Sequence, residues 1–251
     1  MTQELSLAIG NRKDAYAIHR EQLQASQKHN NTKFRLMDLP YDARRVILGH
    51  FVDSQTLRAF LKNDRMPIRL PEVARAGDSR LRRECLLVAL NKCTIEIHSG
   101  PGNAALQGWL SRINFQGVDT SLETGFDAIT SLDFPYFSRF PYGRPDITSN
   151  NDVGLALSCK NLRDLKLNFH SEELGRVFYE HYESEGDVAA KSALSIRKNY
   201  QLDGLLGAEK LQTLSFNAYA TENVMAGIHK VAAWFEQEFQ KRGQRVVVKF
   251  I

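Results

Sequence analysis

Three segments of the form L-x-x-L-x-L, with Ile or an aromatic allowed, constrain this chain more than any other feature. They are ITSLDF (Ile129, Leu132, Phe134), LRDLKL (Leu162, Leu165, Leu167) and LQTLSF (Leu211, Leu214, Phe216). The alternation in each marks a strand with one buried face. RVVVKFI repeats it at Val246, Val248 and Phe250. CTIEIHS sets Ile95 and Ile97 on one side and Thr94, Glu96 and His98 on the other. The intervals are too long for hairpins and suit strand–helix–strand units.

The last unit is the clearest. A strand at 211–217 leads to a helix over Thr221–Arg242 with the stripe Val224, Ile228, Val231, Ala232, Phe235 and Phe239, and Gly243 stops it before the final strand. Such a crossover predicts parallel strands with right-handed connections. Repeated units of this kind build either an irregular leucine-rich-repeat solenoid or an open α/β sheet. A regular repeat places Asn or Cys three residues past its third Leu; here Phe137, His170 and Tyr219 stand there. The repeat is also longer than the roughly 20–29 residues of the regular form. The interval 167–211 has room for another strand.

Residues 1–33 are polar and read as a flexible tail with a weak helix at Asp14–Gln24. Pro40 and Asp42 suit the first turn of a helix running to Val52, with Ala43, Val46, Ile47 and Phe51 on one face. A second short helix is expected at Ser54–Asn63, capped by Ser54, with Leu57, Phe60 and Leu61 inward. A third begins near Ser79 and carries Leu81, Cys85, Leu86 and Val88–Leu90. SGPG (99–102) reads as a turn, and the segment after it as a helix with Leu106, Trp109, Leu110 and Ile113 inward. The expected organisation is a tail (1–33), a short helical module (34–92) and a leucine-rich-repeat-like α/β domain (93–251). SRFPYGRPDITSN (138–150) and HYESEGD (181–187) read as surface loops.

LMDLPYDARRVILGHFV resembles the opening of an F-box, L-P-x-E-[LI]-x-x-x-I-L-x-x-L. Leu39, Pro40, Asp42, Ile47, Leu48 and Phe51 fill its places, with Asp for Glu and Ala43 where Leu or Ile is usual. RLPEVARAGDSRLRREC, CTIEIHSG, ITSLDFPYFSRF, CKNLRDLKLNFH and FQKRGQRVVVKF follow in the order seen in fungal F-box-like proteins. The V-C-K-x-W continuation of an F-box is missing, since no Trp precedes Trp109. The resemblance covers most of 34–251. It implies that 36–52 docks a Skp1-like adaptor through Leu39, Pro40, Ile47, Leu48 and Phe51, and that the C-terminal units hold a substrate for ubiquitin transfer. The other reading makes the same helix a lid on the sheet, in a stand-alone scaffold or accessory protein without a ubiquitin link.

The residues argue against most chemistry. None of the seven histidines forms an H-x-x-x-H or H-E-x-x-H pair, and only His98 near Cys93 approaches metal-ligand spacing. No G-x-S-x-G elbow or P-loop appears, and the glycines of HSGPGNAALQG suit a turn better than an anion site. No catalytic residue, metal or cofactor is expected, and the chain reads as a non-enzyme. Tyr and Arg are common interface anchors. Phe137, Arg139, Tyr142 and Arg144 are therefore the candidate target contacts, with His170 and Tyr219 on the same sheet edge if the strands stack in register. The net charge of +4 is mild, and Asp64, Glu72 and Asp78 dilute the basic stretch Lys62–Arg83, so a nucleic-acid partner is not expected. No run approaches the roughly 20 apolar residues of a membrane span. With no secretory signal and three scattered cysteines (Cys85, Cys93, Cys159), the expected location is cytoplasmic or nuclear with reduced thiols.

Overall fold

The computed structural model describes residues 36–52, 56–59, 78–115, 117–119, 121–137, 149–170, 175–176, 189–190, 192–219 and 222–251. The expected tail and its helix, the loop 181–187 and most of Lys62–Arg83 lie outside these residues. The chain divides into two units at Arg44 and Arg45. In the first, a 3-10 turn (Leu36–Asp38) leads into the start of helix α1 (Tyr41–Val52), whose residues from Arg45 onward belong to the second. The Pro40 carbonyl accepts the Arg44 amide at 3.1 Å, so proline stands where its missing N–H costs nothing. The Arg44 guanidinium donates to the Leu39 and Met37 carbonyls.

The second unit is built on one sheet. Strands β1 (Thr56–Ala59), β2 (Thr94–Ile97), β3 (Ser131–Phe134), β4 (Asp164–His170), β7 (Thr213–Tyr219) and β8 (Val247–Phe250) pair in chain order, all parallel. A separate antiparallel ribbon, β5 (Gly175–Arg176) with β6 (Ala189–Ala190), occupies the interval where another strand had room. One register row crosses the whole sheet: Leu57, Ile95, Leu132, Leu165, Leu214 and Val248. The L-x-x-L-x-L pattern is thus a stacking code, since its central leucines, Leu132, Leu165 and Leu214, are buried side by side.

Segment 56–59 corrects one expectation. A helix is expected at Ser54–Asn63, and Thr56–Ala59 is instead the edge strand β1, with Leu57 opposite Ile95. Four residues of local spacing do not distinguish the two periods, and pairing with β2 decides.

Helices α2 (Ser79–Lys92), α3 (Gly100–Leu110), α4 (Asn151–Ser158), α5 (Ala193–Asn199) and α6 (Glu222–Lys241) complete the unit. Asp78 caps α2, accepting the amides of Arg80 at 2.7 Å and Leu81 at 3.0 Å. Those two bonds hold its carboxyl below the ordinary value. Helix α3 starts at Gly100, inside the expected turn, because Ser99 caps it through the Gly102 amide. Ile113 lies past its end. Asn150 caps α4 and ties it to the end of α5 by donating to the Tyr200 carbonyl at 2.9 Å.

The α6 stripe Ile228, Val231, Phe235 and Phe239 is buried, and Phe235 meets Phe216 of β7 with ring centroids 5.7 Å apart. Gly243, at φ 70°, ends α6. Its amide bonds Gln240 and the Gln244 amide bonds Phe239, the paired reverse bonds of a Schellman motif. Phe169 and Tyr200 extend the aromatic core on the same side of the sheet.

Candidate functional site

The other face of the sheet is polar and, among the described residues, partly exposed. A row of side chains runs across it in register: Glu96, Asp133, Lys166, Ser215 and Lys249. Lys166 Nζ lies 3.4 Å from Asp133 Oδ2. Asn168 donates to Asp133 Oδ1 at 2.8 Å and to the Phe134 carbonyl at 3.1 Å. Burial holds the Asp133 carboxyl above its ordinary value; Lys166 and Asn168 pull against it and Glu96 pushes it further up. Thr94 and Ser131 share a hydrogen bond of 3.0 Å at the other end of the strands.

At the C-terminal ends of the strands an aromatic cluster forms. Tyr136 stacks on His170 with centroids 5.0 Å apart and planes 8° from parallel. His98 meets the same ring at 5.9 Å, and its Nε2 lies 3.0 Å from Glu96 Oε2. Tyr219 is the register partner of His170, as stacking in register requires. Three strand ends thereby present His98, Tyr136 and His170 together. The arrangement offers stacking surface, hydrogen-bond donors and acceptors, and charges of both signs. A histidine–carboxylate pair is present, and the hydroxyl pair Thr94–Ser131 stands at the opposite end of the strands from it. Among the described residues no group of three His, Cys, Asp or Glu has metal-binding geometry.

Two of the residues singled out in the sequence sit in the core. Phe137 is 2% exposed and packs on Phe134, Phe169 and Tyr200, so it presents no contact surface. The alternation shifts at Pro135. Proline cannot continue the ladder, the chain turns, and the alternation shifts by one, so Tyr136 takes the outward place beside His170. Leu48 is fully buried and is likewise no docking contact in this fold. Arg139, Tyr142 and Arg144 lie outside the described residues, as does the side chain of Tyr219. Glu96, His98, Asp133, Tyr136 and Lys166 were absent from the sequence-derived set. Aligning the strands on their shared leucine row brings Glu96, His98, Asp133 and Lys166 to one face; Tyr136 joins them only because the alternation shifts by one past Pro135.

The buried apolar pair of helix α1 is Leu48 and Val52, while Val46 is 62% and Phe51 58% exposed. Ala43, Ile47 and Leu39 are half-buried and Pro40 is exposed. The Val52 carbonyl accepts the Cys93 thiol at 3.4 Å, which seats the Leu48–Val52 side at the start of β2. Of the face shared by Ala43, Val46, Ile47 and Phe51, Val46 and Phe51 are therefore exposed.

A cleft of about 350 Å³ lies between α4 and α5, lined by Asn150, Val153, Leu157, Lys198 and Gln201 among others. Its guanidinium, Arg197, is engaged by Asp203 at 2.8 Å through two bonds and lies over the Trp234 ring. Among the described residues no helix is long and apolar enough to cross a membrane. Comparison with family models, curated proteins and solved structures gives no match.

Proposed function

We propose that this chain is a non-enzymatic protein-interaction module, a substrate receptor of the ubiquitin-ligase type that docks a Skp1-like adaptor through 36–52. The observation that carries the reading is the exposed pair Val46 and Phe51 on a helix otherwise anchored by Leu48 and Val52. Large apolar side chains held out on an anchored helix suit a helix-in-groove contact. Pro40 and Phe51 are both exposed, which a purely lid-like role does not call for. The parallel sheet with sequential strand order suits an irregular leucine-rich-repeat-like solenoid, whose uncovered face serves for recognition. On that face Glu96, His98, Tyr136, Lys166 and His170 are the target contacts. Neither a cofactor nor a nucleic acid enters this reading.

The second reading, a stand-alone scaffold without a ubiquitin link, is favoured by the complete burial of Leu48, which makes α1 part of the fold. Co-elution of the full chain with purified Skp1 on a sizing column separates the two. Docking gives a shared peak that a Val46→Asp/Phe51→Ser variant, melting like the parent, loses. Separate peaks for the parent chain refute docking and leave the scaffold reading.

A further inference from the structure

Strand β8 is the last of the sheet, and among the described residues no strand pairs with its outer edge. The amides of Val247 and Ile251 donate inward, to the Gln212 carbonyl at 2.8 Å and the Phe216 carbonyl at 2.9 Å. In a parallel ladder the alternate residues, Val246, Val248 and Phe250, then point their N–H and C=O groups away from β7. Among the described residues these groups meet no hydrogen-bond partner. Such a row is a template for a further strand.

The side chains define what kind of strand fits. On the polar face of the edge stand Val247, Lys249 and Ile251, with Val247 55% and Ile251 54% exposed. Lys249 and Arg245 are exposed, and neither makes an ion pair among the described residues; the nearest register neighbour of Lys249 is the uncharged Ser215. On the other face Phe250 rests on the His229 ring at 4.0 Å. A lysine on an edge deters pairing with neutral or basic strands. It favours a strand that sets a carboxylate opposite it. A second copy of this chain is disfavoured, because two-fold pairing brings the basic residues of one edge beside those of the other.

We propose that the β8 edge binds an extended acidic segment of a partner protein by strand addition. The segment sets a carboxylate opposite Lys249 and aliphatic side chains opposite Val247 and Ile251. Main-chain bonds to Val248 and Phe250 supply affinity, and the alternate side chains supply selectivity. This surface is independent of α1 and of the His98–Tyr136–His170 cluster.

The test uses the full chain and two labelled, end-capped peptides, Val-Thr-Glu-Thr-Val and Val-Thr-Lys-Thr-Val, followed by fluorescence anisotropy. The glutamate peptide is expected to bind about five- to ten-fold more tightly than the lysine peptide. Lys249→Glu reverses that order. Val248→Pro abolishes binding of both, because it removes an outward amide and leaves the bonds to β7 in place. Should the proline variant melt early, the charge reversal decides alone. Equal binding of the two peptides, or binding indifferent to Lys249→Glu, overturns the proposal. So does a concentration-dependent dimer that Lys249→Glu alters while neither peptide binds, since the occupant is then a second copy.

Discussion

Asp152, in the first turn of α4, is expected to destabilise the protein at neutral pH, and Asp152→Asn to relieve it. Its Oδ1 accepts a hydrogen bond of 2.5 Å from Asn103 Nδ2, and Asn103 is fully buried on α3. Burial pushes the carboxyl up from 3.8 to about 6, with the Asn103 bond pulling against that rise. The folded state therefore holds a proton between pH 4 and pH 6 that the unfolded chain has released. Unfolding releases that proton, so this group's contribution improves as pH falls from 7 to 4 and is fully unfavourable above about pH 6. A rise of that size corresponds to about 3 kcal/mol at most. The opposing attraction of a carboxylate to a helix N-terminus is worth about 0.3–1 kcal/mol. Burial wins, and relaxation of the site reduces the net effect to about 1–2 kcal/mol, or about 2–4 °C in Tm for a chain of this length.

Urea unfolding of parent and Asp152→Asn at pH 7.5 and pH 4 reads this directly. Other carboxylates, such as the depressed Asp78 and Asp119, titrate equally in both proteins and cancel in the difference. The variant is expected to be more stable at pH 7.5 and equal or slightly weaker at pH 4, where Asp152 is largely protonated. A variant weaker than the parent by the same amount at both pH values refutes the reasoning. The helix terminus and Asn103 would then stabilise the carboxylate more than burial penalises it.

Three further outcomes follow from the packing. Asn150→Ala removes the α4 cap and leaves the Tyr200 carbonyl without its donor, so denaturant titration is expected to show a loss of about 2–3 kcal/mol, while Asn150→Asp, which keeps the cap, loses less. Phe137→Ala empties an aromatic core site and is expected to lose about 3–5 kcal/mol, whereas Tyr136→Ala, its exposed neighbour, changes stability by under about 1 kcal/mol; equal losses would contradict the inward placement of Phe137. All three cysteines are buried, with burial raising the thiols of Cys85, to about 11, and Cys159, so Ellman's reagent at pH 8 is expected to label them only in denaturant, and rapid labelling of the native chain would refute their burial.

The strands were legible because the signal is local and repeated. Leu132, Leu165 and Leu214 carry the same spacing, and one register row is what that spacing builds. Helix α6 was legible for a similar reason: a long stripe and a glycine stop are both local, and Gly243 adopts the positive φ that the stop needs. β1 was hidden because Leu57, with Phe60 and Leu61, suits a helical face as well as a strand, and only the presence of Ile95 nearby selects the strand. The Asn103–Asp152 bond joins residues 49 apart in sequence, and no local window contains both.

Phe137 shows where repeat logic fails. Counting three residues past the last strand position places it with His170 and Tyr219, yet the count holds only while the ladder continues, and Pro135 ends the ladder first. Past that proline Tyr136 stacks on His170, which assembles the cluster. A Pro135→Ala chain that extends β3 would turn Phe137 outward and Tyr136 in. The exchange is opposed by the loss of Phe137 from a site walled by Phe134, Phe169 and Tyr200. Burying an aromatic ring there outweighs one added ladder bond, by about 3–5 against about 1 kcal/mol, so the core is expected to hold Phe137 inward even without the proline. Ring-proton shifts of Tyr136 that stay unchanged in Pro135→Ala would make the core the cause of the cluster's geometry; shifts that move to a buried environment would make it the proline.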